Sequence, residues 1–189
     1  GFAVDEALFR QFLDRLEKRL PLAEALVLTG SLPGGCPPDA YRQLGILAAS
    51  HDIPVFLDAD GENLKWGVSA FPYAVKPNQD ELRQYSGLPL RNDTQWLQAL
   101  MGLRQNGVRM VAATMGADGV MMLGESEAWH APGMKIRPAC ATGAGDAALA
   151  AMIWAWHFAL PAEKTVALMS AAGGMTTTKP GVAFCTLEE

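Results

Sequence analysis

The chain has 189 residues, of which 50% are hydrophobic and 19% charged, with a formal net charge of −5. This balance suits one globular α/β domain spanning residues 1–189, and it provides no basic footprint for a nucleic acid. The longest apolar run, from Ala147 to Leu160, is too short to span a membrane and contains His157. Cys36, Cys140 and Cys185 stand at unrelated spacings and form neither a disulfide framework nor a zinc pattern. The start, with Asp5 and Glu6 close behind Gly1, is unlike a secretory leader. A reducing cytoplasm is the expected location.

In chain order, apolar residues at Leu8, Phe12 and Leu16, with Phe9, Leu13 and Leu20 beside them, predict a helix over Val4 to Leu20. "ALVLTG" reads as a short buried strand, and "SLPGGCPP" as a loop. Asp39 is expected to help cap a helix running to about Ser50. "IPVFLDAD" is a second strand, followed by a short helical turn at "GENLKWG". "YAVKPN" is a third strand that must end near Pro77, because proline cannot donate to a ladder. "QDELRQYSG" predicts a helix closed by Gly87. Asn92 or Asp93 caps the next helix, which runs to Asn106 with Gly107 behind it. "RMVAATMG" is a fourth strand. "ADGVMMLG" and "EAWHAPGMKIRP" form a small antiparallel excursion, with Asp118-Gly119 as a turn candidate. Two helices follow, from Ala144 to about Phe158 and from Pro161 to about Ala172. Trp154, Trp156, Met121 and Met122 are expected in the core.

Alternation of strands and helices predicts a mostly parallel sheet covered by helices on both faces. The strands read as continuous apolar runs, as doubly covered strands do. In such folds ligands bind beyond the carboxyl ends of the strands. The four parallel candidates end in "TGSLPGG", "DADGEN", "KPNQDE" and "TMGADG", all rich in glycine, hydroxyl, amide or carboxylate groups.

"TGAGD", residues 142–146, admits three readings. Gly143, Gly145 and Ala148 satisfy a dinucleotide fingerprint, with Glu163 some twenty residues on. Against this, Pro138 stands where a strand should deliver the chain, and no second strand precedes Glu163. A phosphate loop of the Gly-Lys-Ser/Thr kind is excluded, because no Gly-Lys pair exists. The third reading is an anion site at a helix start. There, free N–H groups at Ala144, Gly145 and Asp146 face a phosphate, and Asp146 stands ready to accept a proton. A first-turn acid that merely complements the helix dipole fits the same residues.

Taken together and in order, "LTGSLPGGCP", "KPNQDEL", "TMGADGV" and "TGAGDAALA" resemble the phosphofructokinase-B type carbohydrate kinases of the ribokinase-like superfamily. "GSLPGG" and "KPNQDEL" most resemble the branch acting on fructose and tagatose phosphates. The resemblance implies a ribokinase-like three-layer sandwich and ATP-dependent phosphoryl transfer to a hydroxyl of a phosphorylated hexose. It implies that Asp146 is the general base, with Gly143, Ala144 and Gly145 as the anion hole. It places Thr114, Gly116, Gly119 and Gly173 in the nucleotide site, and Asn78 and Glu81 in a pair acting on Mg2+ and phosphates through water. The expected partner is a small sugar phosphate, with neither nucleic acid nor membrane, and a homodimer is left open. Ala141 and Ala147 depart from the hydroxyl residues usual at those places. The family's N-terminal portion and lid have no counterpart here, so the likeness is to its C-terminal, nucleotide-binding part. The rival expectations are an incomplete fragment that at most binds nucleotide, and a dinucleotide oxidoreductase.

Overall fold

The structure is a computed structural model that describes residues 3–124, 126–181, 183–186 and 188. Its centre is a six-stranded sheet in the order β1-β2-β3-β4-β5-β6. The strands are β1 (Leu26–Thr29), β2 (Val55–Asp58), β3 (Ala74–Val75), β4 (Met110–Thr114), β5 (Val120–Leu123) and β6 (Ala128–Ala131). Pairing is parallel from β1 through β4 and antiparallel across β4–β5 and β5–β6. The carboxyl ends of the first four strands therefore open on one edge. This is the mostly parallel sheet expected.

The strands divide their side chains between two cores, as the twofold alternation of a strand requires. Val55 and Leu57 of β2, Val75 of β3, Val111 and Ala113 of β4, and Met121 and Leu123 of β5 face one core. On that side lie α2 (Ala40–Ala49), α3 (Gly61–Val68), α4 (Gln79–Ser86) and α5 (Asp93–Gln105), through Leu44, Leu64, Leu82 and Leu100. Phe56, Ala74, Ala112, Val120 and Met122 face the other core, covered by α6 (Ala144–His157) and α7 (Ala162–Thr177) through Leu149, Met152, Val166 and Met169. Each such fully buried side chain contributes about 1.5–3 kcal/mol of transfer free energy. Met121 and Met122 are core residues, one on each face.

Several local expectations are corrected. The first helix, α1, covers only Glu6–Glu17, capped by Asp5, whose side chain accepts from the Leu8 N–H at 2.7 Å; Leu20–Leu22 form a separate 3-10 turn. Asp39 makes no side-chain cap and accepts from Gln43 Nε2 instead, at 2.9 Å. The "GENLKWG" segment is a two-turn helix, and β3 pairs over only two residues before Lys76-Pro77. The turn expected at Asp118-Gly119 is present and joins β4 to β5. α7 continues five residues beyond Ala172, to Thr177, because Gly173 and Gly174 pack against neighbours and do not end the helix. Trp156 is core, its ring 5.2 Å from Phe56 and 5.9 Å from Tyr73, but Trp154 is exposed and packs on Phe158. The helix period explains the difference: two positions apart is nearly opposite faces.

Candidate active site

The site is built where the ends of the parallel strands meet the start of α6. Each strand end is tied down locally. Tyr41 of α2 donates its hydroxyl to the carbonyls of Thr29 and Gly30, both at 2.9 Å, and so holds the exit of β1. Behind β3, Asn78 and Glu81 form a capping box on α4. The Asn78 side chain accepts from the N–H groups of Asp80 and Glu81, and Glu81 accepts from the Asn78 N–H at 2.7 Å and from Asn78 Nδ2 at 2.6 Å. The bridge between Asn78 and Thr114 links this turn to the end of β4.

α6 begins at Gly143, whose φ of 81° lies in the left-handed region and whose side carries no capping group. The first ladder bond is Ala147 N–H to Gly143 O, at 2.9 Å, so the N–H groups of Gly145 and Asp146 precede the ladder, whereas that of Ala144, expected to be free, donates to the Ala141 carbonyl at 3.3 Å. A Cβ at Gly143 would also stand 2.9 Å from the Phe184 ring, which would have to shift. Gly173 lets α7 approach α6, because a Cβ on it would lie 3.3 Å from the Ala144 carbonyl. Gly119 is tighter still: a Cβ would run into the Ala131 carbonyl and the Gly133 amide.

Two cavities flank this helix start. One, of about 510 Å³, is lined by Asn78, Thr114, Gly116, Gly119, Ala144, Gly145 and Gly173, together with residues of the 133–141 strap and of α7. Seven of the ten residues singled out from the sequence therefore share one cavity. Asp146 lies outside it and lines a second, of about 580 Å³, with Trp154, Leu168, Met175 and Phe184. Gly143 and Glu81 line neither cavity. The first turn of α6 thus separates the two cavities, with Ala144 and Gly145 lining one and Asp146 the other.

Two residues that sequence reasoning passed over lie beneath this turn. Lys76 is only 2% exposed, and its Nζ lies 2.9 Å from Asp58 Oδ2. Both occur in strand ends that stood out for their polar residues, and the overlooked signal was a lysine closing the apolar stretch "YAV". Burial pushes the Asp58 carboxyl up; Lys76 opposes this and the Asp146 charge adds to it. Burial also raises Glu81, against the bond from the Asn78 amide, with the Asp58 charge adding to the rise. The Cys140 thiol is lowered by hydrogen bonding to Thr142.

Among the described residues, no group of three or more His, Cys, Asp or Glu is arranged to hold a metal ion. Magnesium usually keeps several waters and takes one or two carboxylates together with substrate phosphates. The half-buried Glu81 carboxylate, bonded to the cavity-lining Asn78, fits that mode of binding. Among the same residues, no helix is long and apolar enough to cross a membrane.

Comparison with known proteins places the chain in a family. The family model for pfkB family carbohydrate kinases matches residues 3–189. A 1-phosphofructokinase of Vibrio cholerae is 31% identical over 182 residues, covering 96% of this chain and 57% of that protein. A D-tagatose-1-phosphate kinase of Bacillus licheniformis is 28% identical over 186 residues, covering 96% of this chain and 60% of that protein. The crystal structure of phosphofructokinase-2 from Escherichia coli in complex with potassium superposes with a TM-score of 0.88 at 26% identity, covering 98% of this chain and 60% of that one. The chain thus spans less than two thirds of the length of the relatives it matches.

Proposed function

The chain belongs to the pfkB family of carbohydrate kinases, and from that premise we propose that it is the nucleotide-binding and phosphoryl-transferring part of a kinase for a ketohexose phosphate. The observation that carries this reading is the first turn of α6, which puts Gly145 on one cavity and Asp146 on the other. Phosphoryl transfer needs little covalent chemistry from a protein, and mainly positioning and charge neutralisation. In this reading ATP occupies the cavity between the Thr114–Gly119 turn and α7, with its terminal phosphate at the α6 N-terminus. The N–H groups at Gly145 and Asp146, together with the helix dipole, stabilise the charge of the group in flight. Gly143 permits the turn that exposes them. Asp146 accepts the proton of the acceptor hydroxyl from the opposite side. Magnesium, when bound, neutralises phosphate charge, and Asn78 and Glu81 are the residues that hold its water shell. The acceptor is a fructose or tagatose phosphate, by analogy with the named substrates of the relatives.

A second reading is favoured by a specific observation. The cavity that Asp146 faces is lined by Met134, Trp154, Leu168, Met175 and Phe184, an apolar set with few groups suited to a sugar phosphate. On this reading residues 1–189 are one α/β domain that binds nucleotide, while the groups that grip the sugar lie on polypeptide that the longer relatives possess. Titration calorimetry with MgATP, and sugar-dependent ADP release with fructose 1-phosphate, fructose 6-phosphate and tagatose phosphates, test both readings. Nucleotide binding with sugar-dependent ADP release supports the kinase. Binding without release supports the incomplete unit. Absence of nucleotide binding overturns both.

A further inference from the structure

The cavity between the Thr114–Gly119 turn and α7 gathers its uncommitted polar side chains at one place. Gln79 and Thr114 stand with Asn78 at the ends of β3 and β4, where the Asn78–Thr114 bridge joins them. The rest of the lining comes from the 133–141 strap and from α7. Among its described residues the hydroxyls are already engaged. Ser170 donates to the Pro132 carbonyl at 2.9 Å, and Thr177 to the Gly174 carbonyl at 2.7 Å. The strap is engaged too: the Ile136 N–H donates to the Met134 carbonyl at 2.9 Å, and the Ala139 and Cys140 N–H groups donate to the Thr177 carbonyl at 2.7 and 3.0 Å. A hydroxyl that has given its proton keeps only lone pairs. Those accept from the amino group of adenine or from the ring N–H of guanine, so they refuse neither base.

Met134 is the adaptable part of this wall. It is 40% exposed and lines both cavities. A Cβ on Gly174 would stand 3.0 Å from its Sδ, so the thioether lies across α7 where a glycine leaves room. Methionine is unbranched, has three rotatable bonds and fits itself to irregular partners.

We propose that this cavity binds purine nucleoside triphosphates with little regard to the base, and that Met134 gives it this breadth. This rests on the nucleotide reading above and says which nucleotides that site takes. A slot that hydrogen-bonds the distinguishing group rejects the wrong ligand by about 10⁴–10⁵-fold, whereas a mainly apolar one separates close analogues by roughly 10–200-fold. GTP and ITP therefore bind where ATP does, with the same phosphates at the α6 start.

The test is titration calorimetry of the wild-type chain, in magnesium, with ATP, GTP, ITP and inorganic tripolyphosphate. The three nucleotides are expected to bind within about 10-fold of one another, the low end of the range for an apolar slot. Tripolyphosphate is expected to bind more weakly than any of them, because it leaves the strap and α7 untouched. Met134→Ile puts a branched, stiffer side chain of similar size on the wall. Once a circular dichroism melt has shown it folded, it is expected to spread the three affinities more widely than the wild type does. GTP or ITP more than about 10-fold weaker than ATP, or tripolyphosphate as tight as ATP, overturns the proposal. An unchanged spread in Met134→Ile overturns the role of Met134. ATP bound while GTP and ITP are refused leaves the nucleotide reading standing; a wild-type chain that binds none of the three removes that reading itself.

Discussion

Asp146 and Glu81 are both carboxylates at helix starts, yet their surroundings differ. Asp146 is exposed in the first turn of α6 and has no capping role, so its proton-accepting oxygens are free. Asp146→Asn keeps the shape and removes the base. Turnover with a ketohexose phosphate is expected to fall by about 10²–10⁴-fold while calorimetric ATP affinity stays at the wild-type value; unchanged turnover would make Asp146 an ordinary first-turn acid. Glu81 is half-buried and engaged with Asn78, and Glu81→Gln is expected to raise the magnesium concentration needed for half-maximal rate. It also carries a pH signature. Because burial raises its folded pKa above the unfolded value, the folded state binds the proton more tightly. Glu81 therefore costs stability as pH rises through the window between the two values, and relieves that cost as pH falls. Denaturant titrations from neutral pH down into the carboxylate range are expected to show a flatter stability profile for Glu81→Gln than for the wild type.

The elements meet at glycines, and there a methyl group separates two kinds of glycine. Gly143 has φ of 81° and the Phe184 ring 2.9 Å from its would-be Cβ, whereas Gly116 has φ of 61° and open space around it. Gly116→Ala faces only the backbone cost of the left-handed conformation, about 1–2 kcal/mol. Gly143→Ala faces that cost and a displaced ring, and shifting the ring or the turn moves the donors of α6. Melting should show a larger loss for Gly143→Ala, and calorimetry should show weakened ATP binding for that variant. Equal effects on both would mean that the α6 start tolerates displacement.

In the molecule as a whole, the sheet is covered unevenly. β1 pairs with β2, and its other edge has no strand beside it among the described residues. Val27 on β1 is 40% exposed and Leu22 just before it 85% exposed. α1 tucks Phe9 in and packs Leu13 and Leu16 on the core, but leaves Leu8 and Phe12 half exposed. On the far face, Trp154 and Phe158 of the α6 end are also open. An unpaired edge beside exposed apolar side chains templates association. Residues 1–189 by themselves are therefore expected to self-associate with rising concentration in sedimentation velocity, and Val27→Lys on the edge strand is expected to reduce that association. A monomer at all concentrations would show that the edge is adequately protected as it stands.

Much of this protein was legible along the chain, and the reason is local. The alternation of apolar runs with capped helices is written in consecutive residues, so the mostly parallel, doubly covered sheet and its four polar strand ends could be read directly. The left-handed glycine opening α6 and the Asn78–Glu81 box are likewise short-range devices. Other features depend on neighbours distant in sequence. Lys76 reads as the polar end of a strand until the fold sets Asp58 beside it and Gly145 above it. Trp154 and Trp156 look alike until helix rotation turns one toward Phe56 and the other outward. Gly173 reads as the end of a helix until Ala144 proves to lie against it. Above all, which cavity each side of the α6 start faces is decided by the packing of α6 on α7 and of the 133–141 strap on α7. A sequence states which groups are present in a turn, but only the tertiary arrangement determines what stands across from them.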